Sequence, residues 1–472
     1  MSIRRNLVLG WMVAGLQILS AGQNPPPQNP PAQSSGDNAA RQAPATALSA
    51  IAGMQVEGVV EDTSDTLPRI PALLGGKGFT SDFLTEMERS NYLRAGMNVG
   101  AAYDDNALLA STGAQSNTSV SIFPNLSIEE STSRIRWKLG YAGGLTINQN
   151  LPEQNQQAQN LNFDSQFRLS PHVNLRVAEN FSYTTGFFDS GNGAGVIGSG
   201  GPNASLITPL ATQRSNMTTA EMNYHFALND LVGASGSFYD SNFPNTGSQL
   251  TNSRTATGSA FWLHRIFRRN WAGTSYHFDR ITFDPNGESR VHSFYAVDTL
   301  SLSNHFTLSG FIGPQYSDNR GFVPGGSQIT QSSEWSVAGG AEGGWQDART
   351  SLIAGYSRGI SDGGGILGSV RLQNVHATFR RELIPGWAAA LTALHGTNQS
   401  IVAPSAGSAS SVNLTSVGIS LERNVGKSIG FRLGYSHDFQ EQFFPTPNPT
   451  QDAHRNRFFV TLSYQWAKPL GM

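Results

Sequence analysis

Hydrophobic and polar residues alternate with a period of two along much of the chain, and residues 134–147 (RIRWKLGYAGGLTI) show it best. Such alternation predicts a β-strand with two different faces. One face would carry Ile135, Trp137, Leu139, Tyr141, Leu145 and Ile147, and the other Arg134, Arg136, Lys138 and Gly140. A soluble sandwich would turn the apolar face inward, whereas a membrane barrel would turn it toward lipid. The alternation alone does not decide between them.

The lengths of the strands and of their connections do discriminate. Between Tyr92 and Trp466 the pattern predicts about eighteen strands, most of about ten to fourteen residues. Tight connections fall at 131–133, 170–172, 229–230, 268–270, 304–305, 347–348, 384–386 and 426–427. Longer connections, rich in Gly, Asn, Ser and Pro, alternate with them at 104–116, 148–159, 187–213, 242–252, 283–288, 318–331, 361–367, 398–409 and 441–453.

This rhythm is typical of outer-membrane barrels, which have short periplasmic turns and long external loops. Tilted membrane strands need about 9 to 11 residues, and sandwich strands are shorter. A propeller blade has a similar repeat length, but it holds four strands rather than two. We therefore predict an all-β protein, a single transmembrane antiparallel up-and-down β-barrel of about eighteen strands, with sixteen as the other count and both termini periplasmic. A soluble all-β architecture is the alternative.

The N-terminal region divides into three predicted segments. Residues 1–22 read as a secretory signal peptide, with Arg4 and Arg5 before a short apolar core; a retained anchor is the alternative. Residues 23–44 form a Pro, Gln and Asn-rich tether that cannot bury a core. Residues 45–90 are predicted to be a periplasmic lead-in in which 81–89 could form a short helix; a pore plug or a peptidoglycan contact is the alternative. The barrel then covers 91–466, and 467–472 form a tail.

Composition supports the barrel and removes several other classes of protein. Only 14% of residues are charged, as expected where one strand face meets lipid and the other is furnished with small polar residues. A net charge of -2 argues against nucleic acid as a partner. The chain has no cysteine, which excludes disulfides and Cys-based metal sites, and we predict no cofactor.

Aromatic residues at strand ends predict contacts with the membrane boundary and with the assembly machinery. We expect Trp271, Trp345, Trp387 and Trp466 on the periplasmic side, and Trp335 at the opposite rim, to form an interfacial belt, although chance placement at strand ends is the alternative. The last strand, 458–466, alternates cleanly and ends on an aromatic residue. It resembles the terminal strand that barrel-assembly machinery recognises.

Basic residues fall on the faces that would line the lumen: Arg94, Arg134, Arg136, Lys138, Arg168, Arg176 and Arg432. Against lipid, such residues would each cost about 2 to 4 kcal/mol at the midplane, so they are predicted to point inward. They would either select anions or pair with acids such as Asp164 and Glu129. Glu179 and Asp298 lie on strands where the alternation is ambiguous, so a slipped register or bulge is predicted there, with a functional intramembrane acid as the alternative.

Two further groups of residues are candidate sites. Asp104, Asp105 and Asn106 leave the first strand together and offer oxygen ligands to Ca²⁺ or a sugar hydroxyl; the alternative is a polar loop that satisfies its own backbone. No Ser-His-Asp or paired-carboxylate set is legible. His437 and Asp438 come nearest, but adjacent strand residues face opposite ways. The sequence therefore predicts a protein that is not an enzyme.

The first hairpins carry a motif pattern that is similar to a known family. Tyr103-Asp104-Asp105-Asn106 ends the first strand, the second contains Pro124-Asn125-Leu126, and the third opens with Ser133-Arg134 and reaches Gly140-Tyr141. This resembles the β-barrel porins, outer-membrane proteins often associated with extracellular-polysaccharide systems. The resemblance implies a barrel in the outer membrane of a Gram-negative-type bacterium and traffic of carbohydrate or exopolysaccharide.

These inferences together predict a passive channel for small polar solutes or carbohydrate, embedded in outer-membrane lipid. An outer-membrane hydrolase and a surface adhesin or structural barrel are the alternatives. Selection would come from lumen charge and in-folded loops, with 187–213 the first candidate for a constriction.

Overall fold

The computed structural model describes residues 91–185, 212–244, 250–284, 287–303, 305–322, 329–363, 368–401, 411–426, 428–443 and 451–470. The predicted signal peptide, tether and lead-in, and most of the 187–213 loop, lie outside these residues. Among the described residues there is no helix long and apolar enough to cross a membrane.

Eighteen strands and one short 3₁₀ helix make up the described structure. The strands are β1 (Tyr92–Asp104), β2 (Asn117–Ser131), β3 (Ile135–Asn148), β4 (Gln156–Arg168), β5 (Val173–Thr184), β6 (Gln213–Ala227), β7 (Asp230–Asn242), β8 (Ser253–Phe267), β9 (Asn270–Phe283), β10 (Gly287–Ser301), β11 (Phe306–Phe322), β12 (Ile329–Gln346), β13 (Thr350–Ser361), β14 (Val370–Ile384), β15 (Trp387–Ser400), β16 (Ser411–Val425), β17 (Ile429–Phe443) and β18 (Gln451–Pro469). The 3₁₀ helix covers Pro152–Gln154.

The sheet closes on itself. Each strand pairs antiparallel with its neighbours in sequence, and β1 pairs with β18 from Tyr92↔Pro469 to Asp104↔Arg457. The protein is therefore a closed eighteen-stranded up-and-down barrel, as predicted. Short and long connections alternate as expected, although the one between β9 and β10 has only three residues, 284–286.

The apolar strand faces point outward. On β18 the exposed side chains are Phe458, Val460, Leu462, Tyr464 and Trp466, while Thr461 between them is buried in the interior. This matches the lipid-facing orientation of membrane strands. β18 is longer than predicted, because Ala467, Lys468 and Pro469, assigned to the tail, also pair with the start of β1.

An apolar cluster lies inside the barrel, on the inner wall of β7 to β12. It consists of Leu231, Leu263, Trp271, Tyr295, Val297, Phe311 and Ala338. Trp271 is only 3% exposed, so its predicted place in the interfacial belt is wrong. The reason is the alternation of side chains along β9. Trp271 stands next to the turn, but it lies an even number of positions from His277 and Ile281, which are also buried, so all three point inward.

We expect Trp271→Ala to lower the free energy of unfolding by about 3 to 5 kcal/mol, because it empties space inside a packed cluster. Trp345→Ala is the matched control, since Trp345 ends an outward face and is 37% exposed. Denaturant unfolding in detergent, followed by the circular dichroism of the strands, measures both costs. Equal costs would contradict the inward placement of Trp271.

The wall is incomplete between β12 and β13. β11 and β12 pair over seventeen residues, from Phe306↔Trp345 to Phe322↔Ile329. β12 and β13 pair only over eight, from Gly339↔Arg358 to Gln346↔Ser351. β13 nevertheless stays paired with β14 as far as Ser361↔Val370. The end of the β13–β14 hairpin, here called the inner hairpin (359–363 and 368–372), therefore leaves β12.

Two acids project from the outer wall without any register shift. Glu179 on β5 shares its face with outward residues and accepts a hydrogen bond from the Thr218 hydroxyl at 2.5 Å. Asp298 on β10 accepts one from the Asn270 amide at 2.7 Å. The register of both strands is continuous at these positions, so the predicted slip or bulge is wrong. A hydrogen-bond partner on the next strand accommodates each acid instead.

Candidate functional site: the barrel lumen

The inner hairpin folds into the lumen and docks on the wall formed by β8 to β10. Asp362, only 1% exposed, accepts a hydrogen bond from Ser253 Oγ on β8 at 2.5 Å. Ile360 packs with Ile281 of β9 and Val291 of β10, and all three are buried. The inner hairpin thus narrows the lumen near the ends of the strands that carry the long loops.

A side-chain ion pair links the inner hairpin to the strand that it leaves. Arg371 Nη2 lies 2.5 Å from Glu334 Oε1, and Glu334 is on the inward face of β12, in the half that β13 does not pair. In the part of the wall where β12 and β13 do not pair, this ion pair links β12 to the inner hairpin. The predicted constriction at 187–213 cannot be compared, because that segment lies almost wholly outside the described residues.

The polar cluster at the end of β1 fastens the first long loop to β18. Asp105 Oδ1 and Oδ2 accept hydrogen bonds from the backbone N–H and side-chain amide of Asn456, at 2.7 and 2.6 Å. Asn106 Nδ2 donates to the carbonyls of Ala110 and His454, at 2.8 and 2.9 Å. Asp104 Oδ1 accepts from the Asn106 backbone N–H at 3.3 Å.

These bonds support the structural alternative for the cluster rather than a cation site. Nowhere in the described part of the chain do three or more acidic or histidine side chains gather as metal ligands would. Further along the same loop, Leu109 packs against Leu394 and Leu414, which are buried on the inner wall of β15 and β16. The first loop therefore also narrows the lumen.

Two glutamates near the short-turn end of the lumen are each shared by two arginines. Glu129 lies 2.9 Å from both Arg94 Nη1 and Arg136 Nη2. The side chains of Arg94 and Glu129 are 5% and 6% exposed, whereas that of Arg136 is 44% exposed. One carboxylate against two guanidinium groups leaves this triad with a formal charge of +1.

The second triad lies on β14, β16 and β17. Glu422 accepts hydrogen bonds from Arg380 Nε at 3.3 Å and from Arg432 Nε at 2.9 Å. It also has one carboxylate for two guanidinium groups. Only Arg432 had been predicted on this part of the wall. Arg380 was missed because it is followed by a second arginine, Arg381, which hides the alternation.

The remaining predicted basic residues divide between the lumen and the turns. Arg176 points inward and donates to Asp164 Oδ2 at 3.0 Å, and Lys138 and Arg168 lie on inward faces. Arg134 is wrong as a wall residue, because it is exposed in the turn before β3. The structure adds Arg455, whose Nη2 lies 2.7 Å from Asp438 Oδ2, and Arg457. Arg455 and Arg457 lie an even number of positions from the inward-facing Thr461 on β18, and this spacing was the signal available in the sequence.

The other belt tryptophans stand on outward faces. Trp345 and Trp466 are 37% and 44% exposed, and the Arg423 guanidinium lies 5.0 Å from the ring centroid of Trp387. Trp335, at the opposite end, is 74% exposed, and its ring contacts that of Tyr316 in a tilted arrangement with the centroids 5.2 Å apart. His437 bonds to outward Asn456 while Asp438 is buried on the inner face, so the two do not form a catalytic pair.

The closed eighteen-stranded sheet, apolar outside and polar inside, defines the chain as a barrel of the outer-membrane type. No protein-family model and no curated protein matches the sequence. Similar solved structures include the outer membrane protein OpdK from Pseudomonas aeruginosa, with a TM-score of 0.41, 11% identity and coverage of 80% of this chain and 99% of that one.

Two others are OccK2 (OpdF) of Pseudomonas aeruginosa in complex with glucuronate, and the siderophore receptor PiuA from Acinetobacter baumannii. OccK2 has a TM-score of 0.42 and 10% identity, over 79% of this chain and 98% of that one. PiuA has a TM-score of 0.41 and 8% identity, over 80% and 82%. The architecture assigned to this chain rests on its own strand order and closure.

Proposed function

We propose that the protein is a passive outer-membrane channel for small polar solutes, with a preference for anions. The observation that carries the proposal is the pair of arginine–glutamate–arginine triads on the lumen wall, each with a formal charge of +1. Guanidinium groups held in place by a shared carboxylate form a fixed positive surface that an anion can pass. Barrels of this size leave an aqueous passage.

Small solutes fit the lumen better than a polymer chain does. The inner hairpin and the first loop both enter the passage, through Asp362 and Leu109. Small polar side chains, among them Ser121, Asn125 and Thr392, occupy inward positions on the barrel wall and give the interior a polar character. Sugars and sugar acids are therefore the solute class that we propose, and passage of a polysaccharide is less well supported.

The orientation in the membrane forms part of the proposal. Short turns on the periplasmic side and long loops outside would place both termini in the periplasm. β18, whose outward face ends on Tyr464 and Trp466, would be the strand that barrel-assembly machinery binds. The arginine triads then lie at the periplasmic mouth, and the inner hairpin near the external one.

Ion selectivity in planar bilayers tests the proposed function. In a salt gradient, the reversal potential of the wild-type channel should show anion preference. Arg136→Gln should bring the permeability ratio closer to unity, because Arg136 is the triad residue most exposed to the lumen. Arg134→Gln, which removes a charge from the adjacent turn, is the matched control and should change the ratio less.

Two results would overturn the proposal. Absence of conductance in a protein that has the heat-modifiable gel mobility of a folded barrel would remove the channel. Cation preference in the wild type, unchanged by Arg136→Gln, would remove the role of the triads. If the channel conducts with anion preference, liposome swelling with sugars and sugar acids of graded size would define the solute class.

A further inference from the structure

Four arginines form a patch on the outer wall, at the long-loop ends of β8 to β11. This arginine patch consists of Arg254, Arg280, Arg290 and Arg320, whose side chains are 57%, 54%, 45% and 47% exposed. Its outward direction follows from the alternation on β10, where Phe294 is exposed while Ser289 and Val291 are buried inside. The patch therefore does not line the lumen.

Aromatic and then apolar residues follow the patch along the same strands. His292, two residues beyond Arg290, lies opposite Phe278 and Tyr316, and the Tyr316 ring contacts that of Trp335 at a tilt. The next outward positions are occupied by Phe294 and Val337, each 54% exposed. Because aromatic rings mark the boundary between hydrocarbon and headgroups, the arginines stand at headgroup level.

In the described part of the chain, the acids that pair with the patch are fewer than its arginines. Arg280 and Arg290 lie directly opposite each other on β9 and β10, an arrangement of like charges that destabilises a sheet. Glu288 bridges both, at 2.8 and 2.9 Å. A single carboxylate cannot satisfy the ten N–H groups of two guanidinium ions, five on each.

The flanks of the patch show the same shortage. Arg320 Nη2 lies 3.7 Å from Asp318, beyond hydrogen-bond distance, and Asp318 already accepts from Gln331 and Ser333 at 3.1 Å. Arg254 Nε bonds to Asp240 at 3.0 Å. Among the described residues, three carboxylates thus pair with the four guanidinium groups, and a further acid at this end, Asp284, bonds to Asn252.

The opposite part of the outer wall has a different chemistry at the same end. There β17 and β18 carry Glu441 and Asp452 at their long-loop ends. Among the described residues, the long-loop end of the outer wall is therefore more basic over β8 to β11 than over β17 and β18, which indicates a ligand that binds locally.

We propose that the arginine patch binds the phosphate groups of phosphorylated lipids in the adjoining leaflet. Arginine presents paired N–H donors in a planar fork that matches phosphate oxygens. The guanidinium N–H groups that Glu288 does not engage would bind a lipid phosphate at headgroup level, while its acyl chains lie on Phe294, Val337 and their neighbours. The proposal rests on the membrane location of the barrel but not on its conductance.

Retention of lipid by the purified full-length protein tests this inference. Protein in detergent would be titrated with diphosphoryl lipid A and, separately, with phosphatidylcholine, and bound lipid counted by native mass spectrometry. Wild type should retain the phosphorylated lipid selectively. Arg280→Gln with Arg290→Gln should weaken that binding at least about tenfold, because it removes both opposed forks.

Further variants separate binding by the arginine patch from general charge attraction and from unselective retention of lipid. Arg280→Lys with Arg290→Lys keeps the charge and should restore binding only in part, whereas Arg134→Gln in the distant turn should leave it unchanged. Equal retention of both lipids, or full retention by the double glutamine variant, would overturn the proposal. Displacement by millimolar inorganic phosphate without any lipid preference would show a free-anion site instead, which also overturns it. Conductance of the double glutamine variant should stay at the wild-type level.

Discussion

Glu129→Gln is expected to lower the free energy of unfolding by about 3 to 5 kcal/mol, the cost of leaving a buried charge without its partner. Glutamine keeps the size of the side chain but removes the carboxylate that Arg94 and Arg136 share. Arg94 is almost completely buried, so its guanidinium would remain in the wall with no compensating charge. The loss at Arg136 should be smaller, because solvent already reaches nearly half of that side chain.

The neighbouring residue offers a matched control. Glu130 follows Glu129 on β2 but is exposed on the outer face, so Glu130→Gln removes the same charge from the other side of the strand. We expect it to change stability by less than about 1 kcal/mol. Denaturant unfolding in detergent measures both variants. A similar cost for the two would show that the triad does not stabilise the wall.

Releasing the inner hairpin should give the largest change in conductance. Ile360→Ser with Asp362→Ala removes its apolar contact with Ile281 and Val291 and its bond to Ser253. The passage at that level would widen, and we expect single-channel conductance to rise several-fold with greater noise. Arg371, which links the inner hairpin to Glu334, is kept in this variant so that the wall is not also opened.

A cross-link provides the opposite manipulation. The chain has no native cysteine, so Ser253→Cys with Asp362→Cys introduces a single reactive pair at the docking point. In the oxidised form the conductance should match wild type and show little noise, and reduction should raise it. If the released and locked forms conduct equally, the inner hairpin is not the constriction.

The architecture was predictable because its signals are local. Alternation in Ile135 to Ile147 and the rhythm of short and long connections require only strand geometry, and both are confirmed by the closed sheet. The wrong predictions concern residues for which a shift of one position along the strand changes whether the side chain faces the lumen or the membrane. Trp271 and Arg134 both sit beside turns, where the parity of the strand is hardest to fix.

The constriction could not be predicted for a different reason. Ile360 and Asp362 contact residues that are 69 to 109 positions away in the chain, and nothing in residues 359–363 marks them as inward-folding. The triads lie between these two cases. Each glutamate and its arginines occupy matching inward positions, so the faces were predictable, but which acid serves which base depends on cross-strand distances.

The gap in the β12–β13 ladder also has a mechanical consequence. In a complete barrel, backbone hydrogen bonds between every pair of neighbouring strands resist stretching around the circumference. Loss of one of these ladders interrupts the closed ring of hydrogen bonds. Here the ladder between β12 and β13 covers only Gly339 to Gln346, and among the described residues the Glu334–Arg371 ion pair links the rest of β12 to the inner hairpin. We therefore expect the wall to be stiffer at the end with the short turns than along this line at the other end.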